Sequence, residues 1–181
     1  MDLSLYQLET LHQDGEFILY RGERTSIGET GPASLLALSA VAEHPAPETI
    51  QKIEHEFSLR DDLDPAWAIR PIGLTQKQSQ IILLLEDSKG QPLDRLFGWP
   101  MELEPCLRCG IAVAAALSQV HRRGLVHKNI KPFNVFVNPA LDQAWLTGFG
   151  ITSRLPRERQ SAEPPEFISG TLAYMAPEQT G

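Results

Sequence analysis

The chain has 181 residues, of which 42% are hydrophobic and 22% charged, which is typical of a soluble globular protein able to bury a sizeable core. Its 16 basic and 23 acidic residues give a formal net charge of −7, which argues against a nucleic-acid-binding surface or an anionic membrane partner. No stretch approaches 18 apolar residues and the N-terminus lacks a signal-peptide pattern, so we expect neither membrane spanning nor export.

The first half of the chain reads as strands around one helix. Residues 1–14 contain a few apolar positions and are interpreted as a leading segment. Short apolar runs predict strands, while Ile50, Ile53 and Phe57 recur at helical spacing and predict an amphipathic helix. The predicted strands span residues 16–21, 33–39, 68–74 and 80–86, and the predicted helix spans residues 48–59.

The second half contains a long helical pattern. This pattern runs from Leu103 to Arg122, is rich in alanine and leucine, and ends at basic residues followed by Gly124, as helix C-termini often do. The other predicted elements are a short helix at residues 92–97, short strands at residues 135–137 and 144–147, and a mobile, proline-rich and charged surface loop at residues 153–168.

Two cysteines, Cys106 and Cys109, form a lone C-x-x-C pair inside the long helical pattern. A zinc site needs two further ligands at suitable spacing, and a thioredoxin-type site needs a different surrounding pattern. We therefore predict that both are buried helix cysteines.

Three motifs follow the long helix. Residues 127–134 read H-K-N-I-K-P-F-N, residues 148–150 read G-F-G, and residues 170–178 read G-T-L-A-Y-M-A-P-E. They resemble the catalytic loop, the D-F-G segment and the A-P-E segment of protein kinases, in the same order and at the right spacing. Three motifs together are much more specific than any one of them.

The resemblance implies an α+β, protein-kinase-like fold that stops after the A-P-E segment. Such a fold has a β-rich small lobe and a helical large lobe, of which only the first part would be present. The expected division is a leading segment at residues 1–14, a small lobe at residues 15–86 and a partial large lobe at residues 87–181. Without the later helices of the large lobe, we expect the long helix to be partly exposed.

The residues that carry kinase chemistry are replaced in this chain. The resemblance places Asn129 at the position of the catalytic aspartate and Gly148 at that of the magnesium-binding aspartate. Aligning residues 34–37 with the V-A-I-K motif places Ala37 at the phosphate-binding lysine. The segment Gly22–Gly28 lies between predicted strands but has the wrong glycine spacing for a Gly-rich loop.

Other motif positions are retained. The resemblance gives Lys131 the place of the lysine that contacts the transferred phosphate in Ser/Thr kinases, and Asn134 that of a nucleotide-site metal ligand. Glu56 matches the helix glutamate that pairs with the missing lysine, and it is either a functional carboxylate or a solvated one. We expect the remaining motif residues to be structural: His127, Phe149, Gly150, Thr171, Pro177 and Glu178.

A wider resemblance points to one bacterial group. The segments 122–139 and 170–181 resemble very large signalling proteins with an N-terminal Ser/Thr-kinase-like domain, an AAA-type ATPase module and a sensor histidine kinase. The similarity extends over roughly residues 15–181. It implies a cytoplasmic signalling role, with protein partners or further domains of that kind.

Three hypotheses remain open at this point. The first is a pseudokinase, meaning a kinase-like regulatory or protein-interaction module that needs no cofactor. The second is an atypical Ser/Thr kinase that binds ATP and Mg²⁺ and transfers phosphate very slowly. The third is a non-functional gene fragment that does not fold stably.

Overall fold

The computed structural model describes residues 2–25, 31–77, 80–96, 102–138, 140, 142–155 and 170–177. Strands β1 to β10 span, in chain order, Tyr6–Gln13, Phe17–Arg24, Ser34–Ala40, Pro71–Lys77, Gln80–Glu86, Gln91–Pro92, Leu125–Val126, Val135–Asn138, Gln143–Leu146 and Ser153–Arg154. Helices α1, α2 and α3 span Pro47–Ser58, Leu93–Leu96 and Leu103–Arg122, and one-turn 3-10 helices lie at Leu3–Leu5, Pro132–Asn134, Phe149–Ile151 and Leu172–Tyr174.

Five antiparallel strands form the sheet of the small lobe, in the order β1-β2-β3-β5-β4. Successive side chains of a strand point to opposite faces of the sheet. In β3, Leu36 and Leu38 pack on the inner face, toward α1 and the large lobe, while Leu35 and Ala37 pack on the outer face. Because β3 is buried on both faces, its sequence is an almost unbroken apolar run.

Helix α1 lies between the sheet and the large lobe. Pro47 occupies its first turn, where a missing N–H breaks no helical hydrogen bond. The helix packs against β4, β5 and the 3-10 turn Phe149–Ile151. Gly150 permits this close approach, because a Cβ there would lie 2.9 Å from the backbone oxygen of Lys52.

Helix α3 is the main helix of the described part of the large lobe. It packs Ala112, Ala116 and Val120 into a core shared with the three-stranded sheet β6-β8-β9. The two lobes are joined beside this core, where Ile69 donates a backbone hydrogen bond to Leu146. The core residues therefore hold both the helix and the base of the cleft between the lobes.

The opposite face of α3 is open to solvent. Leu103, Leu107 and Ile111 are 72%, 56% and 70% exposed, so no other residue within the described ranges covers this face. By length and composition alone α3 is apolar enough to cross a membrane, a test that core helices of soluble proteins also pass. Cys106 lies on this exposed face and Cys109 is half-buried, so the prediction of two buried cysteines is wrong for Cys106.

The structure differs from the predicted elements mainly at the N-terminus. Residues 1–14, predicted as a leading segment, contain β1, which pairs along most of β2. Its signal is weak because β1 is an edge strand with mostly polar residues and a bulge between Thr10 and His12. Ser153 and Arg154 of the predicted mobile loop form β10, while residues 156–169 and Glu178 lie outside the described residues.

Candidate functional site

The candidate site is the cleft between the two lobes. Its upper wall is the inner face of the sheet with the turn between β1 and β2, and its back is α1. Its floor is the segment at residues 127–134, the G-F-G segment and the start of the segment at residues 170–177. Each of the three motifs found in the sequence therefore contributes residues to the border of one cavity.

His127 holds the floor of the cleft in place. Its Nε2–H donates to the carbonyl of Thr147 at 2.9 Å, and its Nδ1 accepts from the backbone N–H of Asn129 at 3.2 Å. The ring is 1% exposed and lies 4.6 Å from the ring of Phe149. Burial is the largest cause that lowers the pKa of His127 to about 4, so the imidazole is neutral and structural.

Asn129 uses its polar groups within the protein. Its carbonyl accepts from Nδ2 of Asn134 at 2.8 Å, and its side-chain oxygen accepts from the hydroxyl of Thr171 at 3.2 Å. The amide thus links the catalytic-loop segment to the segment that leads toward A-P-E. An amide has no basic lone pair for a substrate hydroxyl proton, so this position offers hydrogen bonding but no general base.

Gly148 fits tightly against Asn134. It has a φ of 78°, in the left-handed region that favours glycine. A Cβ built on Gly148 would lie 2.6 Å from the Cγ, Nδ2 and Oδ1 atoms of Asn134. The local backbone and its neighbour therefore both require a glycine in this conformation.

The residues around Asn134 do not fit a magnesium site. Mg²⁺ is usually bound through carboxylates, with octahedral geometry and retained waters. Gly148 supplies no side-chain oxygen, and Nδ2 of Asn134 donates to the carbonyl of Asn129, so these two positions offer one side-chain oxygen, Oδ1 of Asn134, and no carboxylate. Among the described residues, no group of three His, Cys, Asp or Glu side chains is placed to hold a metal ion.

Glu56 is buried in the back of the cleft, and only 2% of it is exposed. Its Oε1 accepts from the backbone N–H of Gly148 at 3.0 Å and lies 3.5 Å from the hydroxyl of Thr147. Burial is the largest cause and raises the pKa of Glu56 to about 7, although hydrogen bonds from Phe149, Gly148 and Thr147 act in the opposite direction. Of the two alternatives for this residue, the solvated carboxylate is wrong.

The position of the missing lysine is Leu38 and not Ala37. Ala37 is fully buried on the outer face of the sheet, away from the cleft. Leu38 pairs with Leu19 and Leu83 on the inner face and lines the cleft that Glu56 also lines. The alignment with V-A-I-K is one residue out of register. Because β3 is apolar on both faces, its sequence shows no alternation of polar and apolar residues that would indicate which side chains face the cleft.

The turn between β1 and β2 stands where a kinase has its Gly-rich loop. It consists of Asp14, Gly15 and Glu16, whereas Gly22 of the segment with the wrong glycine spacing lies within β2. Oδ1 of Asp14 accepts the backbone N–H groups of Glu16 and Phe17 at 2.8 and 2.7 Å, which shapes the turn. The Asp-Gly pair at this point is a recognisable hairpin signal in the sequence.

Both carboxylates of this turn pair with lysines of the cleft. Oδ2 of Asp14 lies 2.9 Å from Nζ of Lys131, and Glu16 lies 2.6 Å from Nζ of Lys52. Burial alone would raise the pKa of Asp14, but the two turn N–H groups and the Lys131 ammonium outweigh it and lower that pKa. No motif in the sequence includes either acid or Lys52.

The end of the cleft near β5 is filled by side chains. Leu36, Leu85 and Phe136 have no exposed surface there. Arg21 lies on the same sheet face as its cross-strand partner Leu36, and its guanidinium donates to the carbonyl of Gly90 at 2.6 Å. A flat aromatic ligand needs an open apolar slot, and the cavity does not reach these residues.

The remaining motif positions differ in their surroundings. Phe149 has no exposed surface, and Gly150 lies against α1. Thr171 binds Asn129 and borders the cleft. Pro177 is exposed and does not line the cavity.

A five-stranded antiparallel sheet, one helix behind it and a helical lobe bearing these loops define a protein-kinase-like architecture. The family model of the protein kinase domain matches residues 30–181. The chain therefore belongs to the protein kinase family.

Two of the curated relatives that the chain matches are described as Ser/Thr kinases. The chain is 26% identical over 176 residues to serine/threonine-protein kinase pkn2 of Myxococcus xanthus, covering 95% of this chain and 21% of that protein. It is 27% identical over 175 residues to serine/threonine-protein kinase Pkn1 of the same organism, covering 94% of this chain and 24% of that protein. The chain thus spans a fifth to a quarter of the length of these two relatives.

Proposed function

We propose that this chain is a pseudokinase domain, a kinase-like regulatory or protein-interaction module that does not transfer phosphate. The observation that carries the proposal is the identity of three residues that border the cleft. Leu38, Asn129 and Gly148 stand where phosphate binding, proton abstraction and metal binding require ionised side chains. None of the three side chains ionises.

The chemical cost of these replacements is large. General acid–base catalysis contributes about 10²–10⁴ in rate, and kinases turn over at about 1–100 per second. Phosphoryl transfer also depends on cations that neutralise charge developing on the phosphoryl oxygens. In this cleft the ammonium groups of Lys52 and Lys131 already face carboxylates of the β1–β2 turn.

The proposal includes no cofactor. ATP bound with Mg²⁺ would bring further negative charge toward Asp14, Glu16 and Glu56, without a metal ligand at Gly148. The apolar part of the cleft beside Phe136 is closed by packed side chains. We therefore expect neither ATP nor Mg²⁺ to bind at millimolar concentrations.

The proposed partners are proteins, either separate chains or further domains of a longer cytoplasmic signalling protein. An AAA-type ATPase module and a sensor histidine kinase are the domains that the sequence resemblance suggests. The large lengths of the relatives support this proposal, since this chain covers 21% and 24% of two of them.

A second candidate is a slow, atypical Ser/Thr kinase. Lys131 and Asn134 are retained and both border the cleft, and the relatives are described as Ser/Thr kinases. This candidate predicts ATP binding that depends on Mg²⁺.

One experiment separates the two candidates. The 181-residue chain is melted with and without ATP, in the presence of Mg²⁺ or EDTA, and incubated with labelled ATP and a mixed Ser/Thr protein substrate. A ligand that binds the folded state raises its stability by RT ln(1 + [L]/Kd). The pseudokinase predicts no magnesium-dependent shift and no label transfer, also in the variant N129D. Magnesium-dependent stabilisation together with label transfer would establish the atypical kinase.

A further inference from the structure

The C-terminal half of β1 contacts the large lobe at every second residue. The carbonyl of Thr10 accepts from Nη2 of Arg95 in α2 at 3.0 Å. Nδ1 of His12 lies 2.6 Å from a carboxylate oxygen of Asp94, also in α2. Two residues further, Asp14 pairs with Lys131 of the catalytic-loop segment.

A bulge in β1 makes these contacts possible. The pairing of β1 with β2 shifts register between Thr10 and His12, which leaves Leu11 as the extra residue. Bulges bend a strand and redirect its side chains. Leu11 is buried in the core, and the ring of His12 lies 4.2 Å from that of Phe133 on the floor of the cleft.

The ion pairs of the turn therefore have two different roles. The pair between Glu16 and Lys52 joins the turn to α1, so both of its members belong to the small lobe. The pair between Asp14 and Lys131 joins the turn to the large lobe across the mouth of the cleft. Its side chains are 25% and 12% exposed, so solvent screens it less than an ordinary surface pair.

We propose that Thr10, His12 and Asp14 form a latch that holds the lobes closed over the cleft, and that the Asp14–Lys131 pair is the contact that sets the balance between closed and open states. Opening frees the ammonium group of Lys131 for a partner that recognises the open form. Such a partner shifts the population only by the difference in its affinity for the two states. The latch concerns lobe closure and does not depend on whether the chain transfers phosphate.

The test measures the distance between the lobes. Spin labels are placed on the native, exposed Cys106 of the large lobe and on V41C, an exposed position beside β3 in the small lobe, with C109A preventing a second label on α3. Pulsed electron–electron double resonance then gives the distribution of distances between the two spin labels in the 181-residue chain. The key variant is D14N, because its side-chain oxygen still accepts the two N–H groups that shape the turn, while its charge is lost.

The latch predicts a narrow distribution for the parent chain and a second, longer population in D14N and in K131M. The double variant D14N/K131M should open no further than either single variant, since both remove the same contact. E16Q is the matched control, because it removes a cleft ion pair that lies within one lobe, and its distribution should equal that of the parent.

Two results would overturn the latch. One is a D14N distribution that superimposes on that of the parent chain. The other is equal broadening in D14N and E16Q, which would assign the effect to the charge of the turn and not to the contact between lobes. Circular dichroism and melting of each variant show that it is folded. The variant E9Q removes an exposed carboxylate of β1 and shows how much the distance distribution changes when a charge away from the cleft is lost.

Discussion

The carboxylate of Glu56 accepts a hydrogen bond from the backbone N–H of Gly148, 3.0 Å away, in the place where a kinase would pair it with a lysine. Loss of the lysine has therefore not released this glutamate to solvent. It has become a buried link between α1 and the G-F-G segment. The residue retains the position of a catalytic element and has acquired the surroundings of a core residue.

The first prediction concerns stability against pH. The folded-state pKa of Glu56 is about 7, raised from 4.5, so the folded protein binds more protons than the unfolded chain and stability falls as pH rises from about 4.5 to 7. The folded-state pKa of His127 is about 4, lowered from 6.5, so its contribution is lost as pH falls from 6.5 to 4. At about 1.4 kcal/mol per pKa unit, each effect amounts to roughly 3 kcal/mol and they oppose each other.

The parent chain should therefore show a shallow dependence between pH 4.5 and 6.5. The variant E56Q removes the group whose contribution falls with pH and leaves that of His127. Its free energy of unfolding should therefore increase by about 2–3 kcal/mol as pH rises from 4.5 to 6.5. Urea denaturation at several pH values measures this, and E9Q serves as the exposed-carboxylate control. Parallel profiles for E56Q and the parent chain would show that Glu56 is not buried as described.

The second prediction compares two lysine substitutions in β3. A37K places an ammonium group among Leu3, Leu35 and their neighbours on the outer face, where the surrounding cluster is apolar. L38K places it in the cleft that Glu56 lines. A37K should cost several kcal/mol or prevent folding, as buried unpaired charges do, whereas L38K should remain folded.

Melting temperatures of the two variants check this prediction, with L38M as a control for the loss of the branched side chain. A second readout follows from the new charge beside Glu56. The pKa of that carboxyl should fall in L38K, so the contribution of His127 is less fully opposed, and the free energy of unfolding should rise between pH 4.5 and 6.5 more steeply than in the parent chain. Equal melting temperatures for A37K and L38K would contradict the assignment of faces in β3.

Sequence patterns predicted the elements whose periodicity is strong and failed where it is weak. Helix α3 was predicted to the residue, because its apolar repeat and glycine C-cap are both clear. Two features were missed for opposite reasons. The residues of β3 that face the cleft were misassigned because β3 is apolar on both faces, and the strand β1 was not predicted because it is largely polar. The floor of the cleft was predicted from motifs, but the pairing of the acidic turn with lysines distant in the chain arises only from tertiary packing.

The third prediction concerns the contact between Gly148 and Asn134. The variant G148A adds a Cβ that would lie 2.6 Å from the side chain of Asn134, in a backbone conformation that costs a non-glycine residue about 1–2 kcal/mol. We expect a loss of about 2–4 kcal/mol in stability, from strain and overpacking together. The same clash would oppose any attempt to restore a metal-binding aspartate by G148D alone.

A double-mutant cycle separates strain from overpacking. In the background N134A the obstructing atoms are absent, so G148A should then cost only the backbone strain of about 1–2 kcal/mol. Urea denaturation of the four proteins gives the coupling. Strict additivity would mean that the two side chains do not meet.

The last prediction concerns the two faces of α3. Val120 has no exposed surface and packs in the core of the large lobe, while Ile111 on the same helix is 70% exposed. Both are β-branched, so replacement by alanine gives a similar small gain in helix propensity, about 0.5 kcal/mol. V120A should nevertheless destabilise the chain by about 1–3 kcal/mol through lost burial and the cavity left behind, whereas I111A should be neutral or slightly stabilising. Urea denaturation at low protein concentration compares the two, and sedimentation at the same concentration verifies that the chain is monomeric. A loss in I111A as large as that in V120A would show that the exposed face of α3 is covered in solution, either by a second copy of the chain or by residues outside the described ranges.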